Sequence, residues 1–214
     1  MTAAILNSVL YFEVAALLVA LYYLLFAEKE ITVLFPIYLF CVVFIEFLGL
    51  IFMYKEISNV FLYNILGGIE FSIFTYIFYS KITNKKYRLI IGGLLIFSLL
   101  IFTTELLLVN DPTKSFMNLS FGVASIMIVM MCCLYIHNIA QTPDVVNLSL
   151  IPLMWICFGL LFYHLCALPI TALANNINKI DMDDKLLVIQ AIPSIIMYTS
   201  FILAYIWTHQ KSNT

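Results

Sequence analysis

The chain has 214 residues, of which 64% are hydrophobic and 10% charged, with a formal net charge of −2. A soluble domain carries about 25% charged residues, so this composition belongs to a polytopic membrane protein and leaves no nucleic-acid footprint. The five cysteines (Cys41, Cys132, Cys133, Cys157 and Cys166) all fall in apolar runs without a C-x-x-C or zinc spacing, which indicates neither a disulfide framework nor a metal knuckle.

Apolar runs of about 20 residues predict seven spanning helices. In chain order they are Ile5–Phe26, Ile31–Tyr54, Val60–Ser80, Arg88–Val109, Phe116–His137, Leu150–Ala174 and Lys185–Thr208. The first lacks the basic flank and small-residue cleavage site of a signal peptide, and is expected to stay in place. The breaks between helices are short and polar, and none is long enough to fold alone. The expectation is therefore all-α: a seven-transmembrane-helix bundle forming one domain, with any activity in the bundle, its loops or a partner.

Orientation follows from the lysine and arginine bias. Lys81, Lys85, Lys86 and Arg88 form the only basic cluster, which places that loop in the cytoplasm, the N-terminus outside and the C-terminus inside. Lys29 and Lys211 then also lie inside, whereas Lys55, Lys114, Lys179, Lys185 and the acidic run Asp181-Met-Asp-Asp184 lie outside. Tyr22, Tyr23, Tyr79, Tyr87 and Trp207 form the expected inner aromatic belt, with Tyr54 at the outer one.

Four ionisable residues, Glu13, Glu46, Glu70 and His164, sit deep in these apolar runs. A charged group at mid-bilayer costs roughly 2.5–3.5 kcal/mol on insertion scales, so each should be paired, protonated or put to use. At about 1.5 Å per residue, Glu13 and Glu46 lie roughly 12 Å from the outer ends of their helices. Glu70 and His164 lie roughly 15 Å from theirs. Glu105 and Asn64 are nearer the outer surface. A shared level on helices of opposite direction predicts a pocket open to the outside above a sealed apolar floor.

Local neighbours support inward-facing carboxylates. Ala16 and Ala20 follow Glu13 on its helical face, Gly49 follows Glu46, and Gly67 precedes Glu70. Small residues on one face mark helix contacts in membranes. Pro169 and Pro193 are expected to bend helices 6 and 7 and free carbonyls near the same level. A faint internal echo pairs Pro36 with Pro152 and Tyr76-Ile-Phe with Tyr205-Ile-Trp.

Other features read as packing or solvated loop. They include the methionines of helix 5 (Met117, Met127, Met130, Met131), the Asp181–Asp184 run, which does not match a calcium loop, and the Asn118 and Asn147 sequons. A retinal protein is excluded, because the middle of the last helix carries Ser194 to Ser200 and no lysine. No hydrolase triad, His-Glu-x-x-His or phosphate loop appears, and no cofactor is expected.

Several phrases occur together: Glu46-Phe-Leu-Gly49, Tyr63-Asn64 with Glu70-Phe71, Trp155-Ile through Gly159 to Phe162-Tyr163, Leu168-Pro169, Ile196-Met-Tyr198 and Tyr205-Ile-Trp207. Over nearly its full length the chain resembles a family of small, functionally uncharacterised seven-span inner-membrane proteins of Bacteroidetes-type bacteria. The resemblance implies a stand-alone protein of the bacterial inner membrane working beside a signalling partner. Carboxylates at positions like Glu13, Glu46 and Glu70 fit the family pattern; His164 is not part of it.

The resulting expectation is a membrane binding or sensing protein. Its outward-opening pocket for a small molecule or cation is lined by Glu13, Glu46, Asn64, Glu70, His164 and Tyr198, and it signals to a cytoplasmic protein. The alternatives are a proton- or cation-coupled transporter and an intramembrane metal-dependent enzyme acting on lipid, with Glu and His as ligands.

Overall fold

The computed structural model describes residues 2–26, 33–108, 116–141, 148, 151–174 and 183–212. Lys29, Lys114, Asn147, Lys179 and Asp181 lie outside them. The described residues form seven helices: α1 (Thr2–Phe26), α2 (Leu34–Tyr54), α3 (Val60–Lys81), α4 (Lys85–Leu108), α5 (Asn118–Ala140), α6 (Pro152–Ala174) and α7 (Asp183–Ser212). Six of them, α2 to α7, contain a stretch long and apolar enough to cross a membrane, and α1 has a shorter apolar stretch, Ser8–Leu24. These are the features of a multi-pass membrane protein. Several hydroxyls inside the spans return to their own helices. Thr75 donates to the Phe71 carbonyl at 2.7 Å and Ser200 to that of Ile196 at 2.8 Å, while Thr103 and Thr104 donate to Leu99 and Leu100. Such i−4 bonds satisfy a polar group where no water is at hand.

Local chemistry sets several helix ends. Helix α4 starts at Lys85, three residues ahead of the expected Arg88, because Asn84 accepts from the Lys86 amide at 2.9 Å as an N-cap does. Helix α7 starts at Asp183, so Asp183 and Asp184 belong to its first turn rather than to a loop. Helix α2 closes with the Ile57 amide on the Phe52 carbonyl at 2.9 Å and the Glu56 amide on that of Met53 at 3.1 Å. Glu56 holds the left-handed position of this Schellman closure, at φ 56°, where glycine is the usual occupant.

The chain divides into two compact units, residues 1–39 with 142–214 and residues 40–141. The first unit holds α1, the start of α2, α6 and α7. Both α1 and α6 pack along α7. Gly159 permits the close approach of α6: a Cβ there would lie 3.0 Å from the Met197 carbonyl oxygen and 3.0 Å from Ser200 Cβ. At one end Trp155 stacks on Trp207, with centroids 6.3 Å apart, so α6 runs antiparallel to α7. At the same end Tyr205 stacks on Tyr23 at 5.9 Å, and Phe35 meets Phe201 edge-on at 5.0 Å. Helix α1 therefore runs parallel to α7. The Tyr205 hydroxyl, buried in this aromatic cluster, has no hydrogen-bond partner among the described residues.

The second unit holds the rest of α2 with α3, α4 and α5, the last three in mutual contact. Helix α4 is the least enclosed; its only buried residues among those described are Ile91 and Ser98, and the Ser98 hydroxyl lies 2.9 Å from Met127 Sδ on α5. Helix α5 begins at Asn118, two residues later than expected, because its N-terminus is capped from neighbouring helices. Asn64 on α3 accepts from the Met117 amide at 3.1 Å. Glu105 on α4 accepts from the Leu119 and Ser120 amides at 3.1 and 2.6 Å and from the Ser120 hydroxyl. Four amides at a helix start lack partners within the helix, and a carboxylate there also meets the positive end of the dipole.

Candidate functional site

The six residues expected to line one pocket divide between the units: Glu13, His164 and Tyr198 in the first, and Glu46, Asn64 and Glu70 in the second. Each set has its own geometry.

In the first unit, Glu13 is 4% exposed and lies on one stripe with Ala16, Leu17 and Ala20, all buried. This is the face expected from the small residues. His164 is 1% exposed, on the stripe of α6 that also buries Leu160 and Ala167, and its ring meets that of Tyr163 edge-on at 5.1 Å. Contacts on α7 fix the levels. Tyr23 lies beside Tyr205, and stepping back ten residues on these parallel helices brings Glu13 level with Ile195. Gly159 lies against Met197 and Ser200; five residues on, antiparallel, His164 comes level with α7 near Pro193 and Ser194. At about 1.5 Å per residue the two side chains share one level to within a few ångströms. Ser194 and Tyr198, both buried, belong to the same stretch of α7, and Ser194 donates to the Gln190 carbonyl at 3.0 Å. Pro169 and Pro193 lie inside continuous helices; each lacks the N–H that would satisfy a carbonyl one turn back.

In the second unit, the Tyr63 hydroxyl on α3 donates to Glu46 Oε2 on α2 at 3.2 Å. Gly49 makes that reach possible, since a Cβ there would fall 2.9 Å from the Tyr63 hydroxyl oxygen. Glu70, 8% exposed, stands seven residues beyond Tyr63, two turns along the same face of α3 and about 10 Å away along its axis. Between them on that face is Gly67. The expectation that Gly67 marks a tight helix contact is not met: a Cβ there would meet nothing within 4 Å. The face of α3 thus carries an open space, with the Tyr63–Glu46 pair on one side and Glu70 on the other. Asn64, expected to bind ligand, has its carbonyl oxygen engaged with the Met117 amide.

Tyr63 is the member of this group that residue-by-residue reasoning missed. Its signal is the seven-residue spacing to Glu70, which puts phenol and carboxylate on one helical face. The sequence places Glu105 by depth alone, and its role at the start of α5 depends on the packing of α4 against α5. Among the described residues, no three His, Cys, Asp or Glu side chains are placed to hold a metal ion together. Comparison with protein-family models, curated proteins and solved structures returns no match to this chain.

Proposed function

We propose that the chain is a seven-span protein of a bacterial inner membrane, N-terminus outside and C-terminus inside, that binds a small cation or cationic molecule and senses it. The carrying observation is the open space beside Gly67, flanked by Tyr63–Glu46 and Glu70. Two carboxylates and a phenol supply oxygen ligands for a cation and, with the aromatic face, for an organic ammonium group. A cytoplasmic partner would carry the output, because no segment between the helices is long enough to form an output domain. The division into two compact units favours a second reading, a proton- or cation-coupled transporter, since alternating access needs two bodies.

The test uses the full chain in nanodiscs and follows thermal unfolding with sodium, potassium, magnesium, calcium, tetramethylammonium and choline. At a hundredfold excess over Kd, a bound probe should raise the midpoint by about 5–10 °C. Glu70→Gln and Tyr63→Phe should weaken the shift. Gly67→Leu should abolish it without lowering the probe-free midpoint, because a Cβ there meets no protein atom within 4 Å and leucine favours a helix over glycine. Failure of every probe, or a shift that survives Glu70→Gln and Gly67→Leu, would sink the reading.

A further inference from the structure

The turn between α3 and α4 presents Lys81, Lys85 and Lys86, all exposed, with half-buried Arg88 beside them. No acidic residue occurs between Glu70 and Glu105, so neither helix supplies a nearby carboxylate to Lys85 and Lys86. The turn is held in place from α5: the Thr83 hydroxyl and the Asn84 amide both donate to Asn138 Oδ1, at 3.4 and 3.3 Å. Tyr87 packs on His137, with centroids 5.8 Å apart. Arg88 places its guanidinium 4.3 Å from the centre of the Tyr79 ring, and its Nε is buried without a hydrogen-bond acceptor among the described residues. Lys85 and Lys86 also occupy the first turn of α4, where the helix dipole is positive and cations are unfavourable. An anion at this position would offset the lysine charges and the dipole together.

The surface next to the patch identifies the anion's carrier. On α4, Leu89 is 79% exposed, and Ile90, Ile96, Phe97 and Leu100 are exposed beyond it. A ligand that follows this surface carries a phosphate at one end and hydrocarbon along the other. We infer that the α3–α4 turn and the adjoining face of α4 form a binding surface for an anionic phospholipid, its headgroup phosphate on Lys85 and Lys86 and its acyl chains along α4.

The experiment uses the delipidated full chain in neutral detergent, with bound lipid counted by native mass spectrometry and stability followed by thermal unfolding. Phosphatidylglycerol should bind more tightly than phosphatidylcholine, and its advantage should shrink as salt is raised. The Lys85→Gln/Lys86→Gln variant should lose roughly thirtyfold in phosphatidylglycerol affinity, with Lys55→Gln at a distant helix end unchanged. If the double variant fails to fold, Lys86→Gln alone should lose roughly fivefold. Equal binding of the two lipids overturns the inference, as does a preference that persists in the variants. Inorganic phosphate that stabilises as well as the lipid at equal concentration would show that a free anion suffices, and also overturns it. Protection of Lys85 and Lys86 from acetylation by polyglutamate but not by phosphatidylglycerol would assign the patch to an acidic protein instead.

Discussion

Replacing Gly159 by alanine tests the α6–α7 contact that fixes the level of His164. The added methyl would sit 3.0 Å from the Met197 carbonyl oxygen, 3.1 Å from Met197 Cα and 3.0 Å from Ser200 Cβ, against about 3.5–4.0 Å for an unstrained carbon contact. Two of these atoms are backbone, so no rotamer change relieves the clash and the helices must part. Overpacking of this kind costs about 1–3 kcal/mol. Alanine also gains about 0.8–1.0 kcal/mol over glycine within a helix, so the proper comparison is Gly122→Ala on α5. There the same methyl meets nothing within 4 Å. The two variants should differ by about 1–3 kcal/mol in unfolding free energy, with Gly159→Ala the less stable. The assay is denaturant unfolding in bicelles followed by tryptophan emission. The chain has two tryptophans, and they stack on each other across this helix pair, so parting the helices should also change the emission before unfolding. Equal stabilities with unchanged emission would refute the close approach of α6 and α7, and with it the shared level of Glu13 and His164.

Glu105→Ala should cost about 1–2 kcal/mol, the range of a lost helix cap. It should also speed hydrogen exchange at the Leu119 and Ser120 amides while leaving the centre of α5 protected; unchanged exchange at those two amides would contradict the capping role. Glu56→Gly should stabilise the protein by about 1 kcal/mol, because the left-handed backbone that glycine adopts freely is strained for glutamate. A lowered unfolding midpoint for this variant would refute the Schellman closure of α2.

That the chain is helical, and where its apolar spans lie, is legible in the residues alone, because a span must satisfy its backbone internally over about 20 apolar residues. So is the buried face of α1, since Glu13, Ala16 and Ala20 share a helical stripe that only one rotation can hide from lipid. The rest depends on how the helices pack. In a membrane the inward and outward faces are both apolar, so hydrophobic pattern fixes a helix's extent and leaves its rotation open. The pairs Gly49 and Gly67 show this: alike in sequence context, one receives the Tyr63 hydroxyl and the other borders empty space. Asn64 and Glu105 were legible as polar residues near a helix end, but their engagement with the start of α5 depends on how α3 and α4 pack against it. The grouping of α1 with α6 and α7 is of the same kind. It rests on side-chain contacts between residues more than a hundred positions apart, such as Tyr23 with Tyr205, which no local pattern encodes.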